Sequence, residues 1–303
     1  MARCKANGIE LEYETFGDPG APALLLVMGL GMQLLGWESG LCERLAGLGF
    51  HVIRYDNRDA GLSTFFDEAG VPDMTAVYSG DHSGVPYRLE DLAEDASGLL
   101  TGLGVSGAHV VGASMGGMIA QELAIRHPEQ VLSLCSIMST TGASDVGHPS
   151  AEALGVLTAP PGTDRESAIA RGLRTWRVLE SPAYPHTEEQ LRTTVGAAYD
   201  RANRPAGSAR QLAAIIASPD RTERLRKLAV PTQVIHGEAD PLVNVSGGQA
   251  TAEAIPDARL LVVPGMGHDL PAQLWDVYVE TIVANILRAD EEAQAGGAGD
   301  AGL

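Results

Sequence analysis

The chain has 303 residues, 45% of them hydrophobic and 20% charged, which is the make-up of an ordinary globular protein with a sizeable core. Its 39 acidic residues outnumber its 21 lysines and arginines, and the formal net charge of -18 disfavours nucleic acid and anionic membrane surfaces as partners. The three cysteines, Cys4, Cys42 and Cys135, are too few and too scattered for a disulfide framework or a zinc site.

The opening stretch, MARCKANGIELEYE, lacks the apolar run of a signal peptide. ALLLVMGLGM (23–32) is too short and too rich in glycine to span a bilayer, so a cytoplasmic protein is expected. Ile9, Leu11 and Tyr13 alternate with Glu10, Glu12 and Glu14, the pattern of a half-buried antiparallel edge strand. The texture then changes to short apolar runs: ALLLVM (23–28), HVIRYD (51–56), AHVVGA (108–113), VLSLCSIM (131–138), TQVIHG (232–237) and RLLVVP (259–264). Such runs suit strands covered on both faces. Helical patterns at 38–49, 88–104 and 115–130 lie between them, and this alternation predicts βαβ units and a mostly parallel sheet flanked by helices.

From about Thr140 to Leu228 the alternation stops. Three helical patterns (164–180, 187–203 and 208–218) are separated by Pro160, Pro161, Pro182, Pro185 and Pro205. The predicted organisation is a core of residues 1–139 and 229–290, a helical lid over 140–228, and a disordered, low-complexity tail over 291–303. A shorter insertion at 65–87 is rich in turn residues and carries Phe65, Phe66 and Tyr78.

The segment VVGASMGGMIAQ (110–121) carries the chemistry. A buried strand runs into Gly112-Ala113-Ser114-Met115-Gly116 and then into a helix. Small neighbours allow a tight turn and close approach of other backbone, and strand, G-x-S-x-G and helix together form the context of a nucleophile elbow. Free N–H groups at the helix N-terminus face the place where negative charge would develop. A serine hydroxyl is a weak nucleophile alone and requires a base, itself oriented by a third group. VIHGEADPLV offers Asp240, with Glu238 and Asp269 as rival acids, and VVPGMGHDLP offers His268. Of the other histidines, His127 closes a helix, His51 and His109 open strands and His236 ends one, while His82, His148 and His186 read as solvated.

With elbow, G-x-x-D-P-L-V and G-M-G-H in this order, the chain resembles the α/β-hydrolase superfamily, in its serine-esterase branch, from the first strand to the last helix. The resemblance implies Ser114 as nucleophile, Asp240 as the acid and His268 as the base. It also implies an oxyanion hole made by the backbone N–H groups of Leu30 and Met115. Many relatives carry His-Gly after the third strand, where this chain has Met28 and Gly29. Methionine there, with FGDP upstream and Trp37 downstream, is similar to actinomycete esterases of the aclacinomycin methylesterase type. YDNRDAGLS (55–63) resembles the family's next loop, with Asp59 where glycine is usual; Asp56 and Arg58 there are expected to brace loops, and Glu90 and Asp95 to form a solvated face.

No phosphate-binding or dinucleotide fingerprint accompanies a strand, no metal cluster is visible, and the chemistry needs no cofactor. The expectation is a carboxylic ester hydrolase acting on a small-molecule ester, a methyl or other small-alcohol ester of a hydrophobic acid. Thioester, lactone or carbon–carbon hydrolysis on the same residues is the alternative, and a ligand-binding receptor of the same fold the alternative of another class. Trp176, Phe65 and Phe66 are the candidate pocket walls, although packing of the lid onto the sheet would use the same residues.

Overall fold

The computed structural model describes residues 1–300, with side chains to residue 295. One eight-stranded sheet organises the chain: β1 (Ala2–Ala6), β2 (Ile9–Phe16), β3 (Ala23–Val27), β4 (His51–Tyr55), β5 (Ala108–Ala113), β6 (Val131–Ile137), β7 (Thr232–Gly237) and β8 (Arg259–Val263). Their spatial order is β1-β2-β4-β3-β5-β6-β7-β8; β2 pairs antiparallel with both β1 and β4, and every other pairing is parallel. The strand read as an edge is therefore second in the sheet. Asn7 and Gly8, with φ of 46° and 78°, turn the chain back so that β1 covers it. Asn-Gly is the strongest local signal for such a hairpin, because both central residues of the tight turn need positive φ. At the far side, β8 is an edge, with Arg259 and Leu260 exposed, and is not covered on both faces as its apolar sequence suggested.

Side chains alternate across the sheet. Leu25, Val27 and Val110 face one layer, with α3 (Leu89–Gly102) and α4 (Met115–Arg126), which contribute Leu92, Leu99, Ile119 and Leu123. Leu24, Leu26, Val111 and Ala113 face the other, with α1 (Ser39–Gly47) and α11 (Trp275–Asp300), which contribute Leu41, Leu45, Tyr278 and Ile282. Each fully buried leucine in these layers stabilises the fold by about 1.5–3 kcal/mol relative to an exposed one. The shorter helices α2 (Met74–Tyr78) and α10 (Ser246–Ala254) complete this part. α11 runs through position 291, where the sequence reading ended the fold; residues 301–303 lie outside the described residues. Among the described residues no helix is long and apolar enough to cross a membrane.

β3 neighbours both β4 and β5, so the chain leaves β3 to one side and returns on the other. Loops diverge at such a switch point and leave a crevice at the carboxyl ends of the strands. The loop after β3 and the turn after β5 are thereby neighbours.

Five helices stand between β6 and β7: α5 (Ala151–Leu157), α6 (Arg165–Leu179), α7 (Glu188–Arg201), α8 (Pro205–Ala217) and α9 (Thr222–Leu225). Asp164 and Thr187 cap α6 and α7 through reciprocal hydrogen bonds, and Pro205 opens α8 at a position where its missing N–H costs nothing. This insertion docks on the sheet through buried polar groups. Arg210 of α8, fully buried, pairs with Asp59 at 2.7 Å, and Tyr87 donates to the same carboxylate at 2.5 Å. Arg221, also fully buried, donates to Gln121 at 2.9 Å and to the Thr140 carbonyl, and burial pushes its guanidinium down to about 10.

Asp95 departs from its expected solvated position. It is buried, accepts two hydrogen bonds from Arg58 at 2.6 Å and one from Asn7 at 3.0 Å, because α3 packs directly on the loop after β4. Burial pushes its carboxyl up, and the Arg58 bonds oppose that.

Candidate active site

Ser114 joins β5 to α4 with φ of 56° and ψ of -121°, a conformation that side-chain-bearing residues rarely adopt. The two flanking glycines follow from crowding. A Cβ on Gly116 would fall on the Val27 carbonyl, and one on Gly112 would fall on the Gly116 carbonyl. Strand, turn and helix cross here closer than any side chain permits, and the serine projects at the carboxyl end of the sheet.

Asp240 and His268 come from the loops after β7 and β8. The Asp240 carboxylate is buried and accepts at Oδ1 from the backbone N–H groups of Leu242 and Val243, both at 2.9 Å. These bonds explain the D-P-L-V turn and leave Oδ2 free for His268 Nδ1 at 2.7 Å. Burial alone would push the Asp240 carboxyl up. The charge and hydrogen bond of the His268 ring, with the His236 ring beside it, outweigh burial and hold it well below the usual carboxylate range. With Nδ1–H donating to Asp240, Nε2 of His268 is an acceptor and receives the Ser114 hydroxyl at 2.9 Å. The structure thus brings Ser114, His268 and Asp240 into one hydrogen-bonded line.

The rival acids lie elsewhere. Glu238 is exposed. Asp269 turns away from its neighbour's ring: its Oδ1 accepts from the Ser181 backbone N–H at 3.1 Å and from the Ser181 hydroxyl, and burial pushes its carboxyl up. His186, expected in solvent, is half-buried, with Nδ1 3.5 Å from Glu180 and 3.6 Å from Asp269.

Leu30 lies in the loop after β3 and Met115 at the first position of α4. Among the described residues neither backbone N–H has a hydrogen-bond partner, as the first N–H groups of a helix and an open loop allow. A Cβ on Gly29 would stand 3.1 Å from Ser114 Cβ and 3.6 Å from its Oγ, so this loop lies against the serine. The Met28 carbonyl accepts from Asn57 Nδ2 at 2.8 Å, a brace that does not depend on the residue that replaces histidine in many relatives.

Trp176 is half-buried on α6, edge-on to His186 with ring centroids 5.6 Å apart. One turn later the Leu179 carbonyl accepts the backbone N–H of His268 at 2.7 Å, which sets this part of the insertion against the histidine loop. Phe65 lies 4.3 Å under the Arg204 guanidinium, and Phe66 packs edge-on to Tyr87 at 5.3 Å, so both rings are engaged in packing. Sequence reasoning missed three contributors. His236, taken only as a strand end, places Nε2 3.5 Å from Asp240 and donates to the Val243 carbonyl at 2.7 Å. Its position four residues before the acid was the available signal. Ser181, which receives the Gly267 N–H at 2.8 Å, and Gln211 carry no sequence signal.

Residues 22–273 match the family model described as alpha/beta hydrolase fold. The chain is 31% identical to rhodomycin D methylesterase DauP of Streptomyces sp. (strain C5), covering 91% of this chain and 95% of that protein. It is 30% identical to rhodomycin D methylesterase DnrP of Streptomyces peucetius over the same shares. In fold it is similar to the crystal structure of the enol-lactonase from Burkholderia xenovorans LB400, with a TM-score of 0.73, 24% identity, and coverage of 94% of this chain and 100% of that one.

Proposed function

Since the chain belongs to the α/β-hydrolase fold family, we propose that it is a carboxylic ester hydrolase with Ser114 as nucleophile, His268 as base and Asp240 as the group that orients His268. The observation that carries this reading is the line from Ser114 Oγ to His268 Nε2 at 2.9 Å and from His268 Nδ1 to Asp240 at 2.7 Å, anchored on a serine with positive φ.

In the first step His268 Nε2 takes the serine proton as Oγ attacks the acyl carbon. The carbonyl oxygen becomes an oxyanion, and the N–H groups of Leu30 and Met115 receive it; both are unpaired and therefore already available. Asp240 stabilises the imidazolium that forms. The tetrahedral intermediate collapses to the acyl-enzyme as the Nε2 proton passes to the departing alkoxide. A water that gives its proton to Nε2 then attacks the acyl carbon, and the second collapse returns the proton to Ser114 and frees the acid.

The two rhodomycin D methylesterases support a methyl ester as substrate, with a bulky acid as the acyl part. The helical insertion then acts as a lid over the acid. Trp176 is its candidate wall beside the catalytic histidine, with Phe65 and Phe66 secondary to it. The test is a panel of methyl esters of increasing apolar bulk, with lactones and thioesters as comparators, run on the wild type beside Ser114→Ala. Rising kcat/KM with acid bulk, abolished in the variant, supports the reading. Binding without turnover, or faster turnover of thioesters or lactones, overturns it.

A further inference from the structure

The loop after β3 must hold the Leu30 N–H still if that group is to receive an oxyanion, and a loop of glycines and long flexible side chains does not do so alone. The peptide groups on either side of Leu30 are each pinned. The Met28 carbonyl accepts from Asn57, and the Gly29 carbonyl accepts from the Met32 N–H at 3.2 Å. The Gly31 N–H donates to Gln211 Oε1 at 2.7 Å. Gln211 lies on α8, in the helical insertion, and is fully buried; its Nε2 donates to the Arg58 carbonyl at 2.7 Å, so its amide is fixed at both ends. Gly31 has φ of 67°, and a Cβ there would press on Ser208 of the same helix, which shows how closely α8 lies on the loop.

We infer that Gln211 is a positioning residue for the reaction: its side-chain amide, reaching out of the insertion, fixes the peptide after Leu30 and so aims the Leu30 N–H at the developing oxyanion. The inference rests on the ester-hydrolase reading above. It makes α8, outside the sheet, part of the catalytic framework. Gln211 does so without touching the substrate, and it acts on the transition state more than on the bound ester, because an oxyanion depends on donor direction far more than a ground-state carbonyl does.

The test uses Gln211→Met, which removes both hydrogen bonds at nearly constant volume, and Gln211→Glu, which keeps an acceptor for Gly31. Each variant is assayed with an aryl acetate and titrated with an aryl trifluoromethyl ketone, whose hemiketal with Ser114 puts an oxyanion in the hole. For Gln211→Met we expect kcat to fall about 10²-fold, as for a displaced oxyanion donor, with KM within about threefold of wild type. Ketone affinity should fall by the same factor as kcat/KM. Gln211→Glu should recover kcat to within about tenfold of wild type although its buried charge makes it the less stable protein. If Gln211→Met does not fold, Gln211→Asn, one methylene too short to reach Gly31, gives the same readout. Retention of kcat and ketone affinity in the Met or Asn variant, or a rank order of kcat that follows thermal stability, overturns the inference. A wild type that hydrolyses no ester, and is indistinguishable from Ser114→Ala, overturns the function itself and the inference with it.

Discussion

The carboxyl edge of the sheet and the helical insertion above it are built on opposite principles. The sheet edge places Ser114 and Asp240 on short turns off the buried strands β5 and β7, and His268 on the loop after the edge strand β8, so the proposed reacting groups are held by backbone continuous with the sheet. The insertion buries few large apolar residues and fastens itself by Arg210 to Asp59, Arg201 to Asp56 at 2.7 Å, and Ser181 to Asp269. An apolar contact tolerates small shifts. A buried ion pair does not, because separating its members leaves a charge uncompensated. The difference suggests a division of labour, in which the sheet supplies the chemistry and the insertion fixes it in place through direction-dependent polar contacts.

The largest test of that division is on the sheet. Ser114→Ala should lower kcat by roughly 10⁴–10⁶-fold with the unfolding midpoint unchanged, and a fluorophosphonate should add one equivalent to wild type and none to the variant. Asp240→Asn comes next, with a loss of about 10⁴ in kcat, as expected when the imidazole loses its orienting partner. The pH profile sharpens this. Asp240 is held below the usual carboxylate range, so it stays ionised through the working range and adds no acidic limb to kcat/KM near neutral pH. The depressed carboxyl also stabilises the fold at pH above its unfolded value of about 3.9, and that contribution is lost as pH falls below it. A second acidic group in the kinetic profile at neutral pH would break the assignment.

In the insertion the expected effects move from turnover to stability. Arg210→Met should cost about 3–5 kcal/mol in denaturant unfolding by stranding Asp59, with kcat per folded molecule reduced far less than by the sheet variants. Asp269→Asn should cost less than about tenfold in kcat, since an amide still accepts from Ser181. A dead Asp269→Asn beside an active Asp240→Asn would reverse the assignment of the acid. Trp176→Ala should have the smallest effect, changing discrimination between bulky and small acids by about tenfold while leaving kcat on an acetate ester nearly unchanged.

The same contrast governs what could be read from residues alone. Apolar runs marked β3 to β8 because strands covered by helices need continuous β-branched and leucine-rich segments, and glycine spacing marked the elbow because no other residue fits against the Val27 carbonyl. The covering of β8 is different: it has the composition of an inner strand and lies at the edge, since composition does not reveal what packs beside a strand. The β1–β2 hairpin was overlooked despite its Asn-Gly turn. Asp95 looked like a helix's wet face and is buried against Arg58, a partner from a distant loop. Gln211 is the extreme case. A glutamine in an alanine-rich helix has no pattern that distinguishes surface from site, and its partner Gly31 lies roughly 180 residues away.

The placement of the insertion between β6 and β7 also sets the order in which the site comes into being. Pairing Leu134 with Thr232 closes a loop of roughly a hundred residues, whereas β3 to β6 are joined by shorter connections. During synthesis the serine turn and the loop after β3 can dock while the strands that bring Asp240 and His268 have yet to emerge. A chain at that stage of synthesis carries Ser114 without the proposed base or acid. On the proposed mechanism hydrolytic activity arises only when β7 and β8 join the sheet, so the onset of turnover during refolding reports the closure of that long loop.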